Sequence, residues 1–122
     1  MKAVLCKAYG PPHTLVVEDM PSPTPGPDEV LLSVKAAGVN FPDVLIIDNK
    51  YQLKPPLPFS PGGEAAGIVK QVGNSVDAVK AGDRAIALTG YGAFAEEIVA
   101  PAARLVAVPD GMDDVTTAAF LF

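Results

Sequence analysis

The stretch Ala36-Ala37-Gly38-Val39-Asn40-Phe41-Pro42-Asp43 marks the point where one hydrophobic period gives way to another. Before it, Glu29 to Val39 alternates as a strand, with Val30, Leu32 and Val34 on one face and Leu31, Ser33 and Lys35 on the other. This is the longest strand pattern in the chain and is predicted to be central. After it, Phe41, Val44, Leu45 and Ile47 recur near helical spacing. That spacing predicts a short helix over 41–48 whose apolar face packs inward or lines a cleft. Gly38 permits the intervening turn, and Pro42 falls in a first helical turn, where its missing N–H costs nothing. Downstream, the corner Phe59-Ser60-Pro61-Gly62-Gly63-Glu64-Ala65-Ala66-Gly67 delivers one acidic residue, Glu64, to the start of another strand. Side chains set where strands end in turns are held rigidly yet face a cleft, so site residues are expected in these two stretches.

The rest reads as scaffold. Lys2 to Ala8 and Thr14 to Glu18 suit a hairpin around Tyr9-Gly10-Pro11-Pro12, and the prolines at 21, 23, 25 and 27 an extended connector that cannot donate to a sheet. Residues 53–61 hold four prolines and must be irregular. Ala65 to Val72 resumes as a strand, with Gly67 where a side chain would crowd a neighbour. Turns at Gly73-Asn74-Ser75 and Val79 to Asp83 precede strands over 84–88, 94–100 and 104–108. After the boundary at Pro109 to Asp113, a helix opens over 113–120 with acidic residues at its positive end. Thirteen prolines and eleven glycines in 122 residues leave room for many short strands and no long helix. The expected class is mainly β. Gly90-Tyr91-Gly92-Ala93-Phe94-Ala95 fits the Gly-x-Gly-x-x-Gly/Ala nucleotide fingerprint literally. Yet Glu96-Glu97-Ile98-Val99 followed by Pro101 suits a strand better than the helix that fingerprint requires.

Composition narrows the function. A net charge of −5 and a pI near 4.6, with no basic cluster, argue against nucleic acid as partner. No apolar run approaches the ~20 residues of a membrane span. A single cysteine excludes an internal disulfide, and the N-terminus carries no secretory signal pattern. The cytoplasm is the expected compartment. A catalytic zinc needs three protein ligands drawn from Cys, His and carboxylate, whereas this chain has one Cys, in an apolar strand pattern, and one His, in a Pro-rich turn. No metal site is expected.

Together with Met1-Lys2-Ala3-Val4, Val72-Gly73-Asn74-Ser75-Val76, Gly82-Asp83-Arg84 and Gly90 to Glu96, these stretches resemble the N-terminal domain of the medium-chain dehydrogenases/reductases, and most closely the zinc-free quinone oxidoreductases. The resemblance implies a GroES-like, partly open β-barrel with short helices over 1–112, and a helix at 113–122 that leads to a dinucleotide-binding Rossmann domain absent from this chain. In the zinc-dependent relatives a Cys ligand stands at Asn40 and a His-Glu pair at Gly63-Glu64; both ligands are missing here. The resemblance further implies that the intact protein transfers hydride from NADPH to a quinone, enone or related conjugated carbonyl, and that this part alone is inactive. The alternative is a stand-alone binding or chaperone-like barrel.

Asn40 and Tyr51 are the candidate catalytic residues. Asn40 offers neutral hydrogen bonding to a nicotinamide amide or a substrate carbonyl, or else caps the helix. Tyr51 offers a phenol to a reacting oxygen, or is an ordinary half-buried tyrosine. Phe41, Leu45, Ile46 and Glu64 are the candidate substrate-binding residues, Glu64 orienting neighbouring backbone as its family counterpart does. Asp43 reads as a first-turn helix residue more readily than as a general acid. Relatives often carry Tyr in place of Leu45 and a basic residue in place of Ile47, departures expected to make the cleft more apolar. The small-molecule substrate is the expected partner. The apolar 118–122 tail is expected to bury itself in a partner chain or to remain disordered, and a homo-oligomer is expected.

Overall fold

A computed structural model of the chain describes residues 1–108 and 111–119. The tail Phe120-Leu121-Phe122 and part of the boundary at Pro109-Asp110 lie outside the described residues. Among those described, seven strands and two α-helices occur. Strands β1 (Lys2–Leu5) and β2 (Val16–Asp19) pair antiparallel, with a 3₁₀ turn at Pro12–Thr14 between them. Five more form one antiparallel sheet: β3 (Glu29–Ala37), β4 (Glu64–Val72), β5 (Arg84–Leu88), β6 (Glu97–Pro101) and β7 (Leu105–Ala107), in spatial order β6-β3-β4-β5-β7. Bridges Ala3–Ala95 and Cys6–Phe59 tie the ribbon to the segments that lead into β6 and β4. The sequence expectation of a mainly β barrel with short helices is met.

Two positions show why the chain folds this way. β3 is interior, as expected, although β4 is the middle strand of the five. Gly67 sits in β4 directly against β3, where a Cβ would stand 2.1 Å from the Ser33 carbonyl oxygen, so the two strands approach closely only because that side chain is absent. The Gly90–Ala95 loop leads into strand β6 and not into a helix, which removes the nucleotide-fingerprint reading.

The main core joins Val30 and Leu32 of β3 with Ala65 and Val69 of β4, Ala85 and Ala87 of β5, and Ile98 and Ala100 of β6. A second cluster, Cys6, Ile46, Ile47 and Phe59, lies under helix α1 (Phe41–Ile47), with Leu15 and Tyr51 against it. Helix α2 (Asp114–Ala118) packs on β3 and β4. Its start is fixed twice: the Asp113 carboxylate accepts from the Thr116 N–H at 2.7 Å, and Arg84 of β5 donates to the Met112 carbonyl oxygen at 2.8 Å. Ala118, the first residue of the apolar tail, is buried within this chain.

α1 corrects the sequence reading of its buried face. Asp43, Ile46 and Ile47 face inward, while Phe41 is 71 % exposed and Val44 is also exposed. The helix is rolled so that Asp43, a carboxyl outside the apolar pattern that accepts from the Asn40 backbone N–H, faces inward in place of Phe41 and Val44.

Candidate active site

The site is built at the junction of two walls. One is the start of α1, where Asn40 is the N-cap and its backbone N–H donates to Asp43 Oδ2 at 2.8 Å, one arm of a capping box. The other is the Pro61-Gly62-Gly63 corner that feeds β4. The corner is laced to the 89–94 loop: the Thr89 N–H donates to the Gly63 carbonyl at 2.9 Å, Thr89 Oγ1 to the Gly62 carbonyl at 3.1 Å, and the Phe94 N–H to the Pro61 carbonyl at 3.0 Å.

Between the walls lies a cavity of about 220 Å³, lined by Asn40, Pro42 and Asp43 on one side, Gly63 and Gly90 on the other, with Tyr51, Gln52 and Leu53 closing it. The fold therefore brings together the two candidate catalytic residues, Asn40 and Tyr51. A separate, larger groove of about 520 Å³ runs beside β6, where Met1, Leu5, Met20, Tyr91 and Arg104 are among its lining. It contains none of the predicted site residues.

Two carboxyl groups flank Asn40. Glu64, only 1 % exposed, accepts from Asn40 Nδ2 at 2.9 Å through Oε1, while its Oε2 is buried without a partner among the described residues. Leaving a buried acceptor unpartnered carries a desolvation cost of about 1–3 kcal/mol. Asp43 is 6 % exposed and accepts from the Asn40 backbone N–H at 2.8 Å. Burial pushes its carboxyl pKa above the usual aspartate range, against the opposing pull of nearby backbone N–H groups, that of Asn40 first.

The remaining candidates fall elsewhere. Ile46, 3 % exposed, belongs to the cluster with Cys6 and Phe59 and does not line the cavity. Leu45 is half-buried outside the cavity wall, and Phe41 projects into solvent. The apolar departures at Leu45 and Ile47 thus do not make this cavity more apolar, because neither residue lines it and Ile47 is core. Glu64 stands behind the wall, touching the cavity through Asn40. Sequence reasoning put Asp43 in the first helical turn, where it stands, without adding it to the site, and passed over Gln52, Leu53 and the backbone of Gly63 and Gly90. For Asp43 a signal existed in the Asn-x-x-Asp spacing of a capping box. For the others, which are brought in by long-range folding, there was none. Among the described residues no group of three or more His, Cys, Asp or Glu side chains could hold a metal ion.

The alcohol dehydrogenase GroES-like domain family matches residues 26–110. The chain is 40 % identical over 111 residues to mouse quinone oxidoreductase-like protein 2, covering 91 % of this chain and 31 % of that protein. It is 36 % identical over 123 residues to the rat synaptic vesicle membrane protein VAT-1 homolog, covering 99 % and 30 %. Among solved structures, the human VAT-1 homolog-like protein superposes with a TM-score of 0.94 at 34 % identity, over 98 % of this chain and 39 % of that one. The Escherichia coli quinone oxidoreductase complexed with NADPH superposes with a TM-score of 0.92 at 31 % identity, over 98 % and 36 %. The chain belongs to the GroES-like domain family of the medium-chain dehydrogenase/reductase superfamily, among quinone oxidoreductase-like and VAT-1 proteins. It spans about a third of the length of the curated relatives it matches.

Proposed function

We propose that this chain is the substrate-side domain of an NADPH-dependent oxidoreductase that reduces a quinone, enone or related conjugated carbonyl without zinc. The observation that carries the reading is the convergence of Asn40 and Tyr51, two neutral hydrogen-bonding side chains, on one small cavity of a GroES-like frame. The cavity suits the nicotinamide end of the cofactor: it offers amide, phenol and backbone groups, and no Lys or Arg lines it. The absence of cations, with two carboxyl groups close by, assigns the phosphates to other parts of the intact protein. NADPH, when bound, supplies the hydride.

The residues of this chain do the rest. A carbonyl that accepts hydride gains negative charge on oxygen; in this reading the Tyr51 hydroxyl donates to it and the Asn40 amide orients the neighbouring ring. Pro42 and Leu53 give part of the cavity an apolar lining. A single, unpaired and buried cysteine is in keeping with a reducing compartment, and we read the protein as cytoplasmic.

In the intact protein, Tyr51→Phe and Asn40→Ala are each expected to lower kcat/KM for a quinone or enone about 10- to 100-fold, equivalent to roughly 1–3 kcal/mol. NADPH oxidation followed at saturating and limiting substrate is the measurement. Parental kcat/KM in both variants would assign the two residues to structure alone.

A further inference from the structure

The five-stranded sheet has an open edge at β6, and no residue of that strand lines the candidate site. The ladder with β3 fixes which backbone groups of β6 are already paired. The Ala102 N–H donates to the Asp28 carbonyl at 3.0 Å, and the Val34 N–H to the Glu96 carbonyl at 2.9 Å. Antiparallel pairs alternate between bonded and non-bonded, so in the register Val30–Ala100 and Leu32–Ile98 it is Ala100 and Ile98 that bond to β3. Glu97, Val99 and Pro101 turn their backbone groups outward. Pro101 has no N–H to give, and among the described residues the Val99 N–H and carbonyl meet no backbone partner.

The groove of about 520 Å³ follows that edge. All five residues of β6 line it, and since successive side chains of a strand point to opposite faces, an opening that touches every one runs along the edge and not over a face. Ala3 and Leu5, alternate residues of β1, and Met20 and Pro21 of the connector add apolar surface. The one carboxyl group on the lining, Glu97, is paired with Lys70 at 2.6 Å. Free backbone groups beside apolar walls suit an extended chain. A second copy paired two-fold about Val99 would set each Glu97 carbonyl against a proline nitrogen that cannot donate, and so lose two bonds. This chain spans about a third of the length of its curated relatives, which leaves the larger part of an intact protein of that length to supply the strand.

We propose that the outer edge of β6 is a docking site for an extended segment of the intact protein from outside residues 1–122, which adds as a sixth strand beside Val99 and lays apolar side chains into the groove. The proposal rests on the reading of this chain as one domain of a longer protein, and on nothing about its catalysis. A strand so placed covers the open edge, which would otherwise be a template for pairing with other molecules. The Val99 N–H is the donor it must meet, because Pro101 offers none.

The test is amide hydrogen exchange and cross-strand nuclear Overhauser contacts at Val99 in the intact protein. The Val99 amide should exchange at least about 100-fold more slowly than an unprotected amide, at a rate independent of protein concentration, and should show contacts to a residue outside 1–122. Val99→Pro, which removes the outward N–H and leaves the bonds of Ile98 and Ala100 to β3, should abolish those contacts and lower the melting temperature of the intact protein. Exchange of the parent Val99 amide near the unprotected rate would overturn the proposal, whether or not the variant folds. Contacts from Val99 only to residues within 1–122, or protection that grows with protein concentration and so reports a second copy, would overturn it equally. An intact protein inactive toward conjugated carbonyls would refute the functional reading and leave the exchange and contact data to decide this one.

Discussion

Replacing Gly38 by alanine tests the link between fold and site at its narrowest point. A Cβ there would stand 2.1 Å from Glu64 Oε1, 2.9 Å from Glu64 Cδ and 3.0 Å from the Ala118 carbonyl oxygen. Gly38 is not among the positive-φ glycines, so the cost arises from space and not from backbone conformation. An ordinary C···O contact is about 3.3 Å or longer, and the carboxylate must retreat by roughly 1 Å. Its 2.9 Å bond to Asn40 then stretches to about 4 Å, beyond hydrogen-bonding range. Loss of a hydrogen bond to a charged group costs about 1.5–3 kcal/mol, and a carboxylate with neither oxygen partnered adds about 1–3 kcal/mol. The reduced entropy of the unfolded chain returns about 0.4–1 kcal/mol. The net expectation is a loss of about 2–5 kcal/mol, or roughly 8–20 °C in Tm for a domain of this size. Thermal unfolding followed by circular dichroism measures it. Glu64→Asp, one methylene shorter, should recover part of the loss when combined with Gly38→Ala. A Gly38→Ala protein that melts within 2 °C of the parent would refute the packing argument.

Other consequences are more local. Gly67→Ala, which drives a Cβ against the Ser33 carbonyl, should cost about 3 kcal/mol or more by denaturant unfolding, because the obstacle is backbone of the paired strand. Gly82→Ala meets no atom within 4 Å but inherits a φ of +97°, and should cost only about 1–2 kcal/mol. Ile46→Ala should lose about 2–5 kcal/mol of stability as a core truncation and leave the kcat of the intact enzyme within about twofold at a temperature where it stays folded; a large kcat loss would return Ile46 to the substrate surface. Hydrogen bonds from Lys70 and Ser22 hold the Glu97 carboxyl below its ordinary pKa. Glu97 thus contributes stability above the ordinary glutamate pKa and loses it as pH falls through its depressed folded value, a dependence that Lys70→Met should weaken in acid titrations. Asp43 works in the opposite sense: its contribution is full below the ordinary aspartate pKa and declines as pH rises through its raised folded value, and Asp43→Asn should remove that decline.

The fold was legible wherever a residue's neighbours along the chain determined its state. β5 falls at Arg84–Leu88, as predicted, because an apolar run of that length after a turn is short for a helix and suits a buried strand. Gly67 announced a close approach, and the approach is to β3. The reading of Gly38 failed in an instructive way. As a glycine between a strand and a helix it suggested conformational freedom, yet its backbone is ordinary, and what it yields is room for a carboxylate 26 residues further along the sequence. No local pattern carries that information.

The same distinction explains the site. Asn40 and Tyr51 could be selected because each is a neutral polar residue beside a predicted turn, but their meeting in one cavity depends on how α1 is rolled. Periodicity gave the inward face to Phe41, Val44, Leu45 and Ile47; the fold turns Phe41 and Val44 outward and brings in Asp43 instead. A hydrophobic count penalises such an exchange, since it prices a buried carboxyl group as a loss. The count omits the donor, the Asn40 backbone N–H from which the Asp43 carboxyl accepts at 2.8 Å. The position where the apolar pattern is broken is therefore the position that fixes the start of α1 and lines the cavity beside Asn40, which is the expected signature of a residue retained for the geometry of a site and not for the stability of the core.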